Sequence, residues 1–150
     1  MTSNPLSSSP IMQVGIVIRD IEATAQKWAA VLGVPIPEII TTDPVEVAHT
    51  EYHQRATPAR AKLAFFELGQ VTLELIEPIG EPSTWHDGLA PQGGGLHHIA
   101  FEIKGMGDTI RALADEGLPL LQRGDYEGGR YAYIDGSDQL GAIIELLEND

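Results

Sequence analysis

Short apolar runs bounded by turn signals alternate with two stretches of helical spacing along most of the chain. Gln13-Val14-Gly15-Ile16-Val17-Ile18 and His98-Ile99-Ala100-Phe101-Glu102-Ile103 both have the pattern of a short apolar strand, each with a small residue in third place. After the first run Asp20 has the side chain of an N-cap, and Ile21, Ala25, Trp28 and Leu32 fall on one helical face. Gly33 then supplies a left-handed stop. After the second run, Gly107 to Glu116 carries Ile110, Leu113 and Ala114 on a helical spacing and ends at Gly117. The exits agree as well, Gly33-Val34-Pro35 against Gly117-Leu118-Pro119.

The correspondence continues in the same order. Lys62-Leu63-Ala64-Phe65-Phe66 matches Arg130-Tyr131-Ala132-Tyr133-Ile134, and Leu73-Glu74-Leu75-Ile76-Glu77 matches Ile144-Glu145-Leu146-Leu147-Glu148. Each half therefore predicts a strand, a helix and further strands, with a hairpin turn at Gly69 in the first and a longer turn containing Gly136 in the second. A repeat of roughly seventy residues is too long for a solenoid unit. An α+β domain of two similar modules about a pseudo-two-fold axis is expected: module one at 11–78, a Gly- and Pro-rich linker or lid at 79–95, and module two at 96–149. Residues 1–10, MTSNPLSSSP, predict a disordered lead-in without the charge or apolar core of a signal peptide.

Four positions break the apolar pattern. Strand alternation puts Glu145 on the face of Ile143 and Leu147, and Glu74 on the face of Thr72 and Ile76. An ionised carboxylate withdrawn from water must be paired, protonated or bound to a cation, and two at equivalent places in a repeat call for a shared cause. Gln13 and His98 form the other equivalent pair, and a two-fold axis would bring all four residues together. That donor set suits a divalent ion of intermediate hardness such as zinc, nickel, cobalt or manganese. It lacks the second histidine of a non-haem iron oxygenase site. Taken singly, Glu145 has a simpler reading as a solvated residue near the chain end; the repeat is what argues against it. His97 points to the opposite face of a regular strand and is expected at a surface or interface. His49, His53 and His86 lie in polar, loop-like segments.

Composition narrows the classes of function. Among 150 residues, 9 Lys+Arg stand against 22 Asp+Glu, for a formal net charge of −13. This excludes an electrostatic grip on nucleic acid and opposes an anionic membrane surface. No apolar run approaches the ~18 residues of a membrane span. The absence of cysteine removes disulfides, thiolate nucleophiles and cysteine-based metal sites, and a cytoplasmic location is the default expectation. Arg55, Arg60, Lys62, Arg123 and Arg130 hold most of the cations and are either a solvated scatter or a means of steering an anionic substrate.

LHHIAFEI (Leu96 to Ile103), ELGQVTLELIEPIG (Glu67 to Gly80) and IIELLE (Ile143 to Glu148) resemble the vicinal oxygen chelate superfamily, across residues 11 to 149. The strings are most similar to its methylmalonyl-CoA epimerase branch. The resemblance implies paired βαβββ modules forming a curved sheet around a metal and substrate cavity, with Gln13, Glu74, His98 and Glu145 at the metal-ligand positions. It departs from that branch at Gln13, where the branch usually has His; the set is closer to glyoxalase I. It departs again at Thr57-Pro58-Ala59-Arg60, where epimerases carry an acidic residue, so the chemistry of the branch is implied more strongly than methylmalonyl-CoA as its substrate.

The implied activity is metal-dependent proton transfer beside a carbonyl, of a small carbonyl or thioester substrate, through an enediolate. Glu145 is the first candidate base and Glu74 faces it from the other module. Two bases would give epimerisation, whereas one would give a 1,2-shift or lyase chemistry of the glyoxalase type. The alternative from a different class is a non-catalytic binding or resistance protein using the same cavity. Family resemblance also implies a homodimer. Trp85, in the polar linker, is expected either to anchor the module junction or to wall the substrate pocket.

Overall fold

The computed structural model describes residues 5–7, 9–89 and 92–150; the expectations for the remainder of the lead-in, and for residues 90 and 91 of the linker, lie outside the described residues. Among the described residues ten strands form one sheet, curled into a half-barrel. In chain order they are β1 (Ile11–Val17), β2 (Ile39–Thr41), β3 (Glu51–Tyr52), β4 (Arg55–Ala56), β5 (Arg60–Glu67), β6 (Thr72–Ile79), β7 (Gly95–Glu102), β8 (Leu120–Tyr126), β9 (Gly129–Ile134) and β10 (Ile143–Asn149). Their order across the sheet is β2-β5-β6-β1-β7-β10-β9-β8-β3-β4.

The expected symmetry appears in that order. β1 pairs in parallel with β6, β7 pairs in parallel with β10, and β1 meets β7 antiparallel at the centre. There Gly15 lies opposite His98 and Gln13 opposite Ala100, so each small residue faces the polar residue of the other module. Glu74 sits beside Gly15 and Glu145 beside Ala100.

Two longer helices cover the outer face of the sheet. Helix α1 (Ile21–Leu32) begins at Asp20, whose side chain accepts from the Ala23 N–H, and stops at Gly33, in the left-handed region at φ 69°. Ile21, Ala25 and Ala29 pack on Ala64, Phe66, Leu73 and Leu75. Helix α4 (Met106–Asp115), one residue ahead of its expected bounds, packs Met106 and Leu113 on Ala132, Ile134, Ile144 and Leu146. The described part of the lead-in includes a turn at residues 5–7, with Leu6 against this second cluster. Leu73 and Leu75, with Ile144 and Leu146, thus take the outward face, and alternation turns Glu74 and Glu145 to the inner one.

Three short helices complete the elements among the described residues: α2 (Val45–Ala48), α3 (Thr84–Asp87) and α5 (Ser137–Leu140). The modules differ most between β2 and β5. That segment of module one carries α2, β3 and β4 across to module two, where β3 pairs with β8 and closes one side of the cup. Among the described residues, no helix is long and apolar enough to cross a membrane.

Candidate metal and substrate site

On the inner face the four pattern-breaking residues come together. His98 is wholly buried, and its Nε2 lies 3.0 Å from Glu145 Oε1, 3.3 Å from Glu74 Oε1 and 2.8 Å from Gln13 Oε1. Gly15 makes the space, because a Cβ there would overlap the His98 imidazole. The small third residue of the first strand therefore accommodates the histidine contributed by the second. The Gln13 amide reaches the same point in either sense. With its nitrogen inward it donates to Glu145 Oε1 (2.9 Å) and Glu74 Oε1 (3.1 Å); with its oxygen inward it offers one more acceptor.

Two carboxylates and an imidazole in so little solvent require a compensating positive charge. Without a metal, a proton supplies it. Burial opposes the charge on His98, but the facing Glu145 and Glu74 raise its pKa from 6.5 to about 10. Burial also pushes Glu74 upward, against the pull of His98 and with a further push from Glu145. The residues equally fit a divalent cation. One donor atom each from Glu74, His98 and Glu145 lies within 4.8 Å of the others, and the Gln13 amide oxygen is a fourth hard donor.

His97, expected at a surface or interface, lies inside the chain. It is buried, because β7 is not regular at this point: the register passes from Gly15 opposite His98 to Ile16 opposite Leu96, leaving His97 as a bulge residue. The bulge turns its ring toward its neighbour, and the two Nδ1 atoms lie 2.8 Å apart. One of them must carry the shared hydrogen. His97 also packs edge-on against Tyr133, and its Nε2 has no hydrogen-bond partner among the described residues. Burial, followed by the His98 charge, drives the His97 pKa well below 6.5, so the ring is a neutral one.

Above this point opens a cavity of about 490 Å³. Its walls include Leu63, Phe65, Trp85, Tyr131, Tyr133 and Leu147, and Gln13, Glu74 and Glu145 lie at its base. Trp85 is held from two sides. Its Nε1 donates to the Tyr133 hydroxyl (3.1 Å), while buried Gln122 on β8 accepts from the Thr84 backbone N–H (2.8 Å) and donates to the Tyr131 hydroxyl (3.0 Å). Burial pushes the pKa of both Tyr131 and Tyr133 further above the ordinary tyrosine value, so both hydroxyls are protonated. Trp85 is thus both anchored at the junction and part of the cavity wall. The alternation Tyr131-Ala132-Tyr133 marks two inward aromatic positions in the sequence, whereas Gln122 has no local signal.

Of the other histidines, His49 is exposed and pairs with Asp125 at the cavity mouth (2.9 Å), and His86 lies 3.8 Å from Glu81. Lys62 pairs with Glu77, and Arg130 with Glu148 and Asp150.

The chain belongs to the glyoxalase/bleomycin resistance protein/dioxygenase superfamily, whose family model matches residues 12–133. It is 37% identical over 92 residues to the uncharacterized protein YqjC of Bacillus subtilis (strain 168), a match spanning 59% of this chain and 66% of that protein, just under two thirds of its length. Its fold is similar to that of the hypothetical protein BH1468 from Bacillus halodurans C-125, with a TM-score of 0.66 and 20% identity over 96% of each chain. It is also similar to a Streptomyces coelicolor methylmalonyl-CoA epimerase in complex with 2-nitronate-propionyl-CoA, with a TM-score of 0.63 and 24% identity over 94% of this chain and 97% of that one. The Mycobacterium tuberculosis methylmalonyl-CoA epimerase gives a TM-score of 0.62 and 22% identity over 100% of this chain and 93% of that one.

Proposed function

We propose that this protein is a metal-dependent enzyme that moves a proton on the carbon beside a carbonyl, as an epimerase or isomerase. The observation that carries this reading is the approach of two buried carboxylates, one from each module, to a single imidazole nitrogen at the base of a cavity. Gln13, Glu74, His98 and Glu145 would hold a divalent ion of the zinc, nickel, cobalt or manganese kind, which supplies Lewis acidity toward an enediolate. Glu145 is the base that takes the α-proton. Glu74, related to it by the pseudo-two-fold, is placed to return a proton on the other face of a planar intermediate. The aromatic wall and the buried Trp85 exclude water from the carbanion equivalent. The donor set Gln13, Glu74, His98 and Glu145 also supports a second reading, lyase chemistry of the glyoxalase type, in which one carboxylate both removes and returns the proton. Either enzyme would work in the cytoplasm.

Two measurements test the proposal. Metal analysis of protein purified from metal-replete cells is expected to find one divalent ion per chain. Incubating the metal-loaded protein with α-hydroxyketones in D₂O is expected to exchange the α-proton. Glu145→Gln should retain the fold and slow that exchange by at least ~100-fold, because the amide keeps the shape and an oxygen donor but is not a base. Near-normal exchange in that variant would remove Glu145 from the role of base.

A further inference from the structure

The cavity bears charge of one sign at its mouth. Asp43, Asp125 and Glu127 line it there, and among the described residues none of the lining is Lys or Arg. Asp125 has the exposed His49 as a partner, while Asp43 and Glu127 make no ion pair among the described residues. Lys62 and Arg130 face the carboxylates of Glu77, Glu148 and Asp150, and Arg60, which is not itself a lining residue, turns its Nε to the carbonyl of the lining residue Thr42 at 2.8 Å.

Below the mouth the wall is mainly aromatic and aliphatic. A volume of about 490 Å³ takes a small organic molecule but leaves a nucleotide-sized handle outside, across Asp43 and Glu127. Phosphate groups are recognised by arginine forks, lysines or helix N-termini; the described lining has no Lys or Arg, and a phosphate held outside across this rim would meet the carboxylates of Asp43 and Glu127. With the whole chain at −13, an anionic ligand also meets a repulsive long-range field. Aromatic faces beside carboxylates, in contrast, tolerate or attract positive charge.

Building on the carbonyl-proton-transfer reading above, we propose that the substrate is a compact carbonyl compound with an apolar or aromatic body and no anionic group, rather than a coenzyme A thioester. The same surface selects neutral and cationic molecules over anionic ones of equal size. Asp43 and Glu127 are the specificity-determining residues, acting on charge before the substrate reaches Glu145.

The charge preference is measurable without turnover. In a Trp28→Phe protein, Trp85 is the sole indole and lines the cavity, so its fluorescence reports occupancy. The metal-loaded protein is titrated with α-hydroxyacetophenones carrying trimethylammonium, methyl or carboxylate at the para position, and with propionyl-CoA against propionyl-N-acetylcysteamine. At low salt the carboxylate member should bind at least tenfold more weakly than the methyl member. The truncated thioester should bind at least tenfold more tightly than the CoA thioester. Both gaps should narrow in 0.5 M salt and in an Asp43→Asn/Glu127→Gln double variant, as expected of screened surface charge (a Debye length of about 10 Å at 0.1 M).

Equal or tighter binding of the carboxylate or CoA member would overturn the proposal. So would failure of every member to bind, or gaps unchanged in the double variant. The α-proton exchange assay keeps the two readings apart. A protein that shows the charge preference without exchange loses the enzymatic reading and retains the charge selectivity of the cavity toward its ligands, and exchange on a CoA thioester alone does the reverse.

Discussion

His98 has both ring nitrogens committed, Nε2 to the two carboxylates and Nδ1 to His97, and this makes its protonation the variable that links the site to pH. A metal needs Nε2 free of its proton, whereas the metal-free site holds that proton up to about pH 10. Metal affinity is therefore expected to rise between pH 6 and 9, as measured by competition with a chelator whose own proton binding is accounted for. The stability of the metal-free protein should move the other way. The folded pKa of His98 lies above its unfolded value of 6.5, so its contribution is complete below pH 6.5 and is lost as pH rises toward 10. A thermal-melt series on chelator-treated protein checks the sign; stability that increased across that window would contradict the assigned charge state. His98→Ala should abolish stoichiometric metal binding, since it deletes the nitrogen donor of the set. His97→Phe keeps ring volume but releases Nδ1 of His98, and it should weaken metal affinity by about 10-fold or more, the usual scale for such outer partners.

Among the elements, β1, β5, β6, β7, β9, β10 and the two longer helices were legible from periodicity and capping, because Asp20, Gly33 and the alternation around Glu74 and Glu145 act locally, whereas β2 and β8 were not placed. What was not legible depended on register. His97 could be placed correctly only from the bulge between β1 and β7, and two residues opposite one leave no mark in a single sequence. The β3–β4 excursion, which pairs module one's chain with β8, is equally non-local. Likewise the two alternatives for Trp85 were each sound locally, and α3 satisfies both by placing the indole between Tyr131, Tyr133 and the cavity. Trp85→Ala is accordingly expected to lower stability by about 3 kcal/mol and also to raise KM, whereas Trp85→Phe should recover most of the stability and only part of the affinity. Chemical denaturation alongside steady-state kinetics separates the two. A Trp85→Ala protein with weakened stability but unchanged KM would make the residue an anchor alone.

For the molecule as a whole, the half-barrel leaves two sheet edges, and they differ in character. One ends in the β3–β4 hairpin, with Arg55 exposed on β4. The other ends in β2, a strand of three residues preceded by exposed Ile36 (57%) and carrying exposed Ile40 (42%), with Val31 (69%) exposed at the end of α1. A free apolar edge of this kind is ordinarily covered, and a symmetric pairing through it closes after two subunits, so a homodimer is the expected form. Charge acts against it, because two chains of net charge −13 repel each other. Raising ionic strength should therefore tighten the dimer rather than loosen it, the opposite of an interface built on salt bridges. Sedimentation at micromolar concentration in 0.05 M and 0.5 M salt tests both statements. The expected result is a dimer whose dissociation constant falls with salt, and whose population falls in a Val31→Ser/Ile36→Ser variant that leaves the cavity residues untouched. A 16.2 kDa monomer at both salt concentrations would show that the β2 edge remains uncovered in solution.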